Sequence, residues 1–528
     1  MKVRKSQSYL VISSAHVGMD DDILKVYAQV AKYYKAKVIH LGPLATDQEI
    51  RKYAKLKKDV ENAQRMRDNA STDKQEQACD DKLENLEGEF LNIADAQNDR
   101  IDTLKNAFGN VTLVTTQDMM LPMKRQNALA PIIYNGLELS KYLFLSPVPP
   151  KGMKASSAPI TARSVSYLKE LGKSWIVAHP IPEVQPFAKP GLNEAHSYYT
   201  VGCLKHNKLP THTSNQYEFS HMPCAIMVTI DKDNDEFHAA QMHIDYLDKD
   251  SGHMEKHKQS PAVLHDGIVF TDKAVIETKA VDRATVGADY HAPWQHSGVV
   301  GAHRALNVLF QPETLIDAGD GGSYESVSHW AEGRPGDVEG LRLKDDILGH
   351  RTLLDAISNV PSIKNKVMID SNHAEWVTDY VSKHPALKGF CDWKALATDV
   401  FPDWNVYLRE AGDNKILWFG DFAIRHGDKD GGVKKGEEKT PTGKYLCGHF
   451  HNYAAYRRAI QMGCGARLGP KYIGNSISAW QSQLSTLTKH LGIAACAAKI
   501  ILHDKTRAVS RFCFRDKIYE VDAYNVKV

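Results

Sequence analysis

Cys447-Gly448-His449-Phe450-His451 closes a short apolar run and sets two histidines one residue apart. In an extended segment the side chains of residues i and i+2 point the same way, so both imidazoles can face one point from a single piece of backbone. That is the geometry of a metal-ligand pair. The chain has 24 histidines, so a close pair also arises by chance. The pair gains meaning from four fragments upstream, each with Asp, Asn or His at the end of an apolar run. They are Gly287-Ala288-Asp289-Tyr290-His291, Ala318-Gly319-Asp320, Asp370-Ser371-Asn372-His373 and Ile424-Arg425-His426-Gly427. Taken singly, Asp289 and Asp320 also fit turn caps, Asn372 a helix N-cap before His373, and His426 a loop residue. Five such fragments in this order within one half of the chain point to a metal centre.

The apolar runs that lead into the fragments predict strands at 285–288, 314–317, 366–369, 415–419 and 444–446. Helical periodicity fits 303–310, 341–358 and 373–383 between them. Ligands gathered at the carboxyl ends of strands are what open α/β sheets provide. The closing runs 498–502, 511–514 and 518–521 predict a late antiparallel sheet.

Outward from this region, 528 residues exceed what one hydrophobic core usually serves, and two domains are expected, 1–255 and 256–528. Lys and Arg number 66 against 64 Asp and Glu, a net charge of +2, so any nucleic-acid surface is a local patch. The eight cysteines are scattered without a Cys-x-x-Cys pair, as in a reduced cytoplasmic protein. The run from Tyr9 to Ile12 is too short for a signal peptide, and no run approaches the ~18 apolar residues of a membrane span.

The first half opens with a strand at 8–13, a helix at 21–36 and a strand at 37–41, a βαβ pattern. From about 46 to 106 the chain is rich in Lys, Asp, Glu, Gln and Asn and nearly free of Gly and Pro, which predicts a protruding helical hairpin. Strands are expected at 111–115, 142–145, 174–178, 225–230 and 238–244, and the polar stretch 245–260 is the expected domain boundary. The half also reads as a worn copy of the second. Ser14 and His16 sit where Asp-x-His would, Pro43 where the acid of Gly-Asp would, and His179 near the place of Gly-His-x-His. The stretch 199–230 parallels 472–502. Without Asp at the first two places no bridged metal pair can form there.

The ordered set Asp-x-His, Gly-Asp, Asn-His, His-Gly, Gly-His-x-His resembles the calcineurin-like metallophosphoesterase superfamily. The extra domain and the absence of phosphatase-type arginines resemble its DNA-cleaving branch, which includes the Mre-eleven and SbcD nucleases, and a phage-encoded nuclease that degrades host DNA is the nearest specific likeness. The resemblance implies an α/β fold with a metallophosphoesterase β-sandwich and flanking helices over 256–528, preceded by a second α/β domain. It implies two divalent metal ions, with manganese first and iron or zinc as alternatives. Asp289, His291 and His451 would hold one, Asn372, His426 and His449 the other, and Asp320 would bridge them. His373 would steer the phosphate and protonate the leaving oxygen. Two departures stand out. Ser371 replaces the family's Gly before Asn-His, and the acidic residue that usually follows the His directly is displaced to Glu375, which leaves the support of His373 open.

The residue types suit the chemistry by themselves. Two divalent ions ~3.5–4 Å apart lower the pKa of a shared water and clamp the attacking and leaving oxygens of a phosphodiester. A neutral ligand at Asn372 keeps the site cationic toward an anionic substrate. The loop from Arg425 to Lys444 is basic and glycine-rich, so Arg425, Lys434, Lys435 and Lys439 are candidates for gripping a DNA backbone, although Asp428, Asp430, Glu437 and Glu438 dilute their charge. The expected partners are DNA and further copies of the chain, with no membrane, in the cytoplasm. Two rival functions remain: a phosphomonoesterase or protein phosphatase on the same scaffold, and a non-catalytic assembly protein.

Overall fold

The computed structural model describes residues 1–14, 19–42, 47–115, 132–147, 172–188, 196–205, 221–247, 260–277, 279–333, 335–408, 416–468, 479–503 and 509–523. In the first half, six strands lie in the order Phe237–His243, Cys224–Asp231, Ser6–Ile12, Lys37–Leu41, Val111–Thr115, Ile132–Tyr134. The last four run parallel, while Cys224–Asp231 is antiparallel to both of its neighbours. The second half repeats this arrangement strand for strand: Ile493–Ile500, Gln483–His490, Asp282–Gly287, Thr314–Asp317, Asn365–Ile369, Asn405–Tyr407, with the same directions.

A ten-stranded sheet is likewise built from two matching sets of five. One runs Leu137–Ser140, Leu143–Ser146, Ser174–Val177, His196–Thr200, Glu183–Phe187, and the other Leu417–Phe419, Phe422–Arg425, Tyr445–Cys447, Ala459–Gln461, Ala454–Tyr456. They meet antiparallel at their last strands, with Val184 opposite Ala455. Register carries the repeat down to residues. Ile12 faces His40 as Gly287 faces Asp317, and Ser146 faces Val177 as Arg425 faces Cys447. Counting on from these pairs, Ser14 stands where Asp289 stands, Pro147 where His426 does, His179 where His449 does and Ile181 where His451 does. The same count corrects one expected match. Tyr199 corresponds to Ile460 and not to Tyr472, since Tyr199 pairs with Ile176 as Ile460 pairs with Leu446. His16, Pro43 and Tyr472 lie outside the described residues.

Apolar burial explains the layering. One continuous core lies between the sheets and takes Val11, Ile39 and Val228 from the first six-stranded sheet, Val286 and Ile316 from the second, and Ile176, Val184, Ile424 and Leu446 from the ten-stranded sheet. Outside, the first sheet is covered by the helix Asp21–Tyr33, whose Ile23, Tyr27 and Val30 recur at helical spacing and are buried. Asp20 starts that helix by accepting from the backbone N–H of Asp22 and Ile23. The second sheet is covered by Ser297–Phe310, Leu343–Ser358 and Asn372–Lys383.

The stretch expected as a helical hairpin holds two helices, Asp47–Asp68 and Asp73–Phe108. Ion pairs Lys52–Glu89, Arg67–Asp80 and Arg100–Glu49 link them over a thin apolar seam of Leu56 and Ile93. Most of the expected boundary stretch, 248–259, lies outside the described residues. The halves are interlocked across it. The strand Lys2–Val3 pairs with Lys517–Asp522 near the other end of the chain. Arg511, near the end of the chain, pairs with Glu236 of the first half at 2.7 Å. Among the described residues no helix is long and apolar enough to cross a membrane.

Candidate metal centre

Five loops leave the carboxyl ends of parallel strands in the second half and converge. Asp282–Gly287 delivers Asp289 and His291, Thr314–Asp317 delivers Asp320, and Asn365–Ile369 delivers Asn372 and His373 at the start of a helix. Phe422–Arg425 and Tyr445–Cys447 deliver His426, His449 and His451. Asp289, His291, Asp320, His449 and His451 all have positive φ, between 49° and 72°. Left-handed backbone is costly for residues with a side chain, and such strain concentrates at functional sites. Hydrogen bonds hold it in place: the Asp289 carboxylate accepts from the backbone N–H of His449 at 2.9 Å, and His291 N–H donates to the Asp320 carbonyl at 2.8 Å.

The donors form three overlapping groups: Asp289, His291 and His451; His291, Asp320 and His373; Asp320, His426 and His449. Within each group the donor atoms lie within 4.8 Å of one another. The Nε2 atoms of His291 and His451 are 3.1 Å apart. Two imidazole nitrogens that share one ion at ~2.0–2.1 Å are spaced by about that much. Asn372 Oδ1 stands 2.8 Å from His426 Nε2 and 3.2 Å from His449 Nδ1. His426 Nε2 is also 3.1 Å from Asp320 Oδ2. The far nitrogen of His426 faces the carbonyl of Ala318 at 3.1 Å, so Nδ1 donates and Nε2 is left as the inward donor atom.

His373 is oriented the same way. Its Nδ1 lies 2.6 Å from the Ser323 carbonyl, and its Nε2 lies 3.8 Å from Asp320. The support left open by the displaced acid is therefore a main-chain carbonyl, since Glu375 pairs with Lys429 at 2.9 Å. Sequence reasoning also missed the braces under the loops. Tyr290 hydroxyl bonds His303 at 2.6 Å, and Tyr324 hydroxyl bonds His350 at 2.7 Å, whose other nitrogen meets Asp317 at 3.1 Å. Tyr290 lies between two predicted ligands and Tyr324 four residues after a third, and that proximity was the available signal. Four tryptophan and histidine rings near the site, Trp376, Trp480, His329 and Trp330, were likewise overlooked.

Charges in the cluster are strongly coupled. Burial drives His291 well below its ordinary value, and His373 adds to the effect. Burial acts to raise the Asp320 carboxyl, but the facing His373 and His426 outweigh it and hold the group well below the carboxylate range. Burial acts to lower His426, yet the charge and hydrogen bond of Asp320 lift it to about 9. His449 is lowered by burial and by His426.

The predicted basic grip fares differently. The segment after His426 is not an open loop: it carries the helix Val433–Glu438, and its cations pair within the chain. Arg425 meets Asp430 at 3.1 Å, Lys439 meets Asp430 at 3.6 Å, and Lys434 meets Glu183 of the other half at 2.8 Å. Lys435 is exposed on the helix. A net charge near zero made this outcome legible only once neighbours were known.

No protein-family model and no curated protein matches the chain. Among solved structures it is similar to Vacuolar Protein Sorting 29 from Cryptosporidium parvum, with a TM-score of 0.23, 9% identity, 46% of this chain and 98% of that chain covered. It is similar also to a single mutant of Vps29 from Entamoeba histolytica, with a TM-score of 0.22, 11% identity, and 46% and 98% covered. Likenesses this slight decide neither fold family nor function. What stands is a mixed α/β chain with His and Asp clusters that can hold metal ions.

Proposed function

We propose that the chain is a dinuclear-metal phosphodiesterase of the calcineurin-like metallophosphoesterase type that cleaves DNA. The observation that supports this reading is the overlap of the donor groups: Asp320 clusters with His291, which joins Asp289 and His451, and also with His426 and His449, which adjoin Asn372. Imidazole, carboxylate and amide donors together suit manganese, iron or zinc. When bound, two such ions supply an activated water and stabilise charge on the attacking and leaving oxygens.

The chain's own residues do the rest. Asp320 joins the two donor sets as the shared anion. Asn372 contributes an oxygen without a charge, which leaves the site attractive to a phosphate. His373, with Nδ1 held by Ser323, presents Nε2 toward the cluster, where it orients the phosphate and gives its proton to the leaving oxygen. Gly319-Asp320 continues into Gly321-Gly322-Ser323-Tyr324, with no arginine to hold a monoester dianion, which favours a diester. Lys434, Lys435 and Lys439 are all exposed, Lys434 and Lys439 within surface ion pairs, and their charge supports contact with a phosphate backbone.

Incubating the purified chain with plasmid DNA, with single-stranded DNA and with a generic phosphomonoester, each with manganese, magnesium or chelator, tests the reading. Manganese-stimulated cleavage of at least one DNA form, blocked by chelator, is expected. Monoester turnover with both DNA forms left whole would make the chain a phosphatase, and inertness toward all three would leave an assembly protein.

A further inference from the structure

We propose that Trp330 and Trp376 form a stacking platform for an unpaired nucleobase, so that the phosphodiesterase site takes single-stranded nucleic acid. The inference rests on the phosphodiesterase reading and adds to it the form of the substrate.

An unbroken ladder of rings runs from the donor cluster to the surface. His451 and His291 have ring centroids 5.0 Å apart, and His291 and His373 are 4.6 Å apart. His373 lies 3.8 Å from Trp376 at an interplanar angle of 34°, close to stacking. Trp376 meets His329 edge-on at 5.8 Å, and His329 lies 4.5 Å from Trp330. Trp330 is 68% exposed. An indole held in water at the end of such a ladder forgoes the burial that large apolar side chains ordinarily gain.

Its position suggests what covers it. His373 is the imidazole nearest the proposed phosphate position, and the helix that begins at Asn372 places Trp376 one turn further on the same face. A strand with one phosphate at the cluster can lay the base of that nucleotide or of a neighbouring one on the Trp376 and Trp330 rings. Every base has a π-face, so such a platform is indifferent to sequence. In a duplex those faces are occupied by neighbouring base pairs, and only an unstacked base can be taken up.

The test is binding by the full chain in chelator, so that nothing is cut, to three labelled probes: a ~12-nucleotide single strand, an abasic strand of the same length, and the corresponding duplex. The unmodified chain should prefer the base-bearing single strand. Trp330→Ala should weaken that binding about tenfold, within the range of base–aromatic stacking, and leave the abasic strand unaffected. Trp330→Phe should restore most of the loss. Equal binding of the base-bearing strand by Trp330→Ala and the unmodified chain would overturn the platform, as would an equal loss on the abasic strand. A change of molecular mass in light scattering on Trp330→Ala would also overturn it, by assigning the indole to a contact between copies. The underlying reading is judged separately, in manganese. If single strand and duplex both stay uncut there, the phosphodiesterase reading fails, whatever the binding arm shows.

Discussion

Replacing Asp320 with Asn removes one negative charge from a buried position at nearly constant volume. In protein stripped of divalent ions by chelation, that charge is what raises His426 to about 9, against the opposing effect of burial. Relative to an ordinary imidazole near ~6.5, the lift corresponds to about 3 kcal/mol. The folded-state value is raised, so this stabilisation is fully present below about pH 6.5 and is lost as pH rises through about 9. Above that range Asp320 remains buried with neutral imidazoles alone, and its desolvation is no longer offset. The assay is urea denaturation of stripped chain and stripped Asp320→Asn at several pH values between about 6 and about 10, with the gap in midpoint followed rather than either midpoint alone. Titrations away from the cluster are shared, so the gap reports Asp320 together with the imidazoles that face it, His426, His373 and His291. It should be largest near pH 6 and should close toward pH 10. A gap that stays constant would refute the coupling of Asp320 to His426. The same variant should lose bound manganese, since an amide cannot replace the shared anion.

His373→Ala should slow DNA cleavage by about 100-fold or more while leaving metal content unchanged, because the ring is assigned to the leaving oxygen; loss of metal by elemental analysis would instead make it a ligand. Asp266→Asn should destabilise the chain by about 3–5 kcal/mol at neutral pH, since it leaves buried Lys499 without its partner 2.6 Å away. Burial opposes the ionised Asp266, but Lys499 and His265 hold its carboxyl below the usual range, so its stabilisation is present above about pH 4 and is lost only as pH falls beneath it. Thermal melts of variant and parent should therefore converge in strong acid, and parallel curves would sink the assignment. Gly465→Ala places a Cβ into the ring of fully buried Tyr290, between Asp289 and His291, and should cost about 1–3 kcal/mol together with metal content. An unchanged melting temperature and unchanged metal content would show that the loop gives way freely.

The donor cluster was legible because its chemistry restricts residue type at strand ends, and Asp, Asn and His after apolar runs are rare enough to be read in order. Strands such as Lys37–Leu41 and Cys224–Asp231 were legible because they are buried on both faces and carry mostly apolar residues. Gln483–His490 was missed. Its Gln483, Ser485, Thr486 and Thr488 are as buried as Leu484 and Leu487, so the polar positions break the hydrophobic run although the segment is central. Buried hydroxyls there have partners supplied from afar: Thr486 donates to Asp266 at 2.8 Å, and the Thr488 hydroxyl accepts from Gly267 N–H, also at 2.8 Å. No local pattern can announce such partners. The ion pairing of the basic segment after His426 was illegible for the same reason. The residue that claims Lys434 is Glu183, some 250 positions earlier, and the pair exists only because the two halves share a sheet.

That shared sheet gives the first half a role beside the candidate site of the second. Its own loop ends are closed by side chains of the chain itself. Pro147 and Ile181 stand in the places of His426 and His451, and neither offers a donor atom for a metal. Ser14, in the place of Asp289, is held by His40, whose Nε2 lies 3.1 Å from both the Ser14 nitrogen and its hydroxyl. Burial lowers His40 to about 3, so it stays neutral and serves as a fixed brace. What the half supplies to the other is an edge. The strand Ala454–Tyr456 begins three residues after His451, and without a partner on its far side it would end the sheet as an open edge beside the ligand loop. Glu183–Phe187 pairs with it, Arg457 N–H donates to the Pro182 carbonyl at 2.8 Å, and Lys434 reaches across to Glu183. The strained turn that carries the candidate donors His449 and His451 is thereby fixed from both sides.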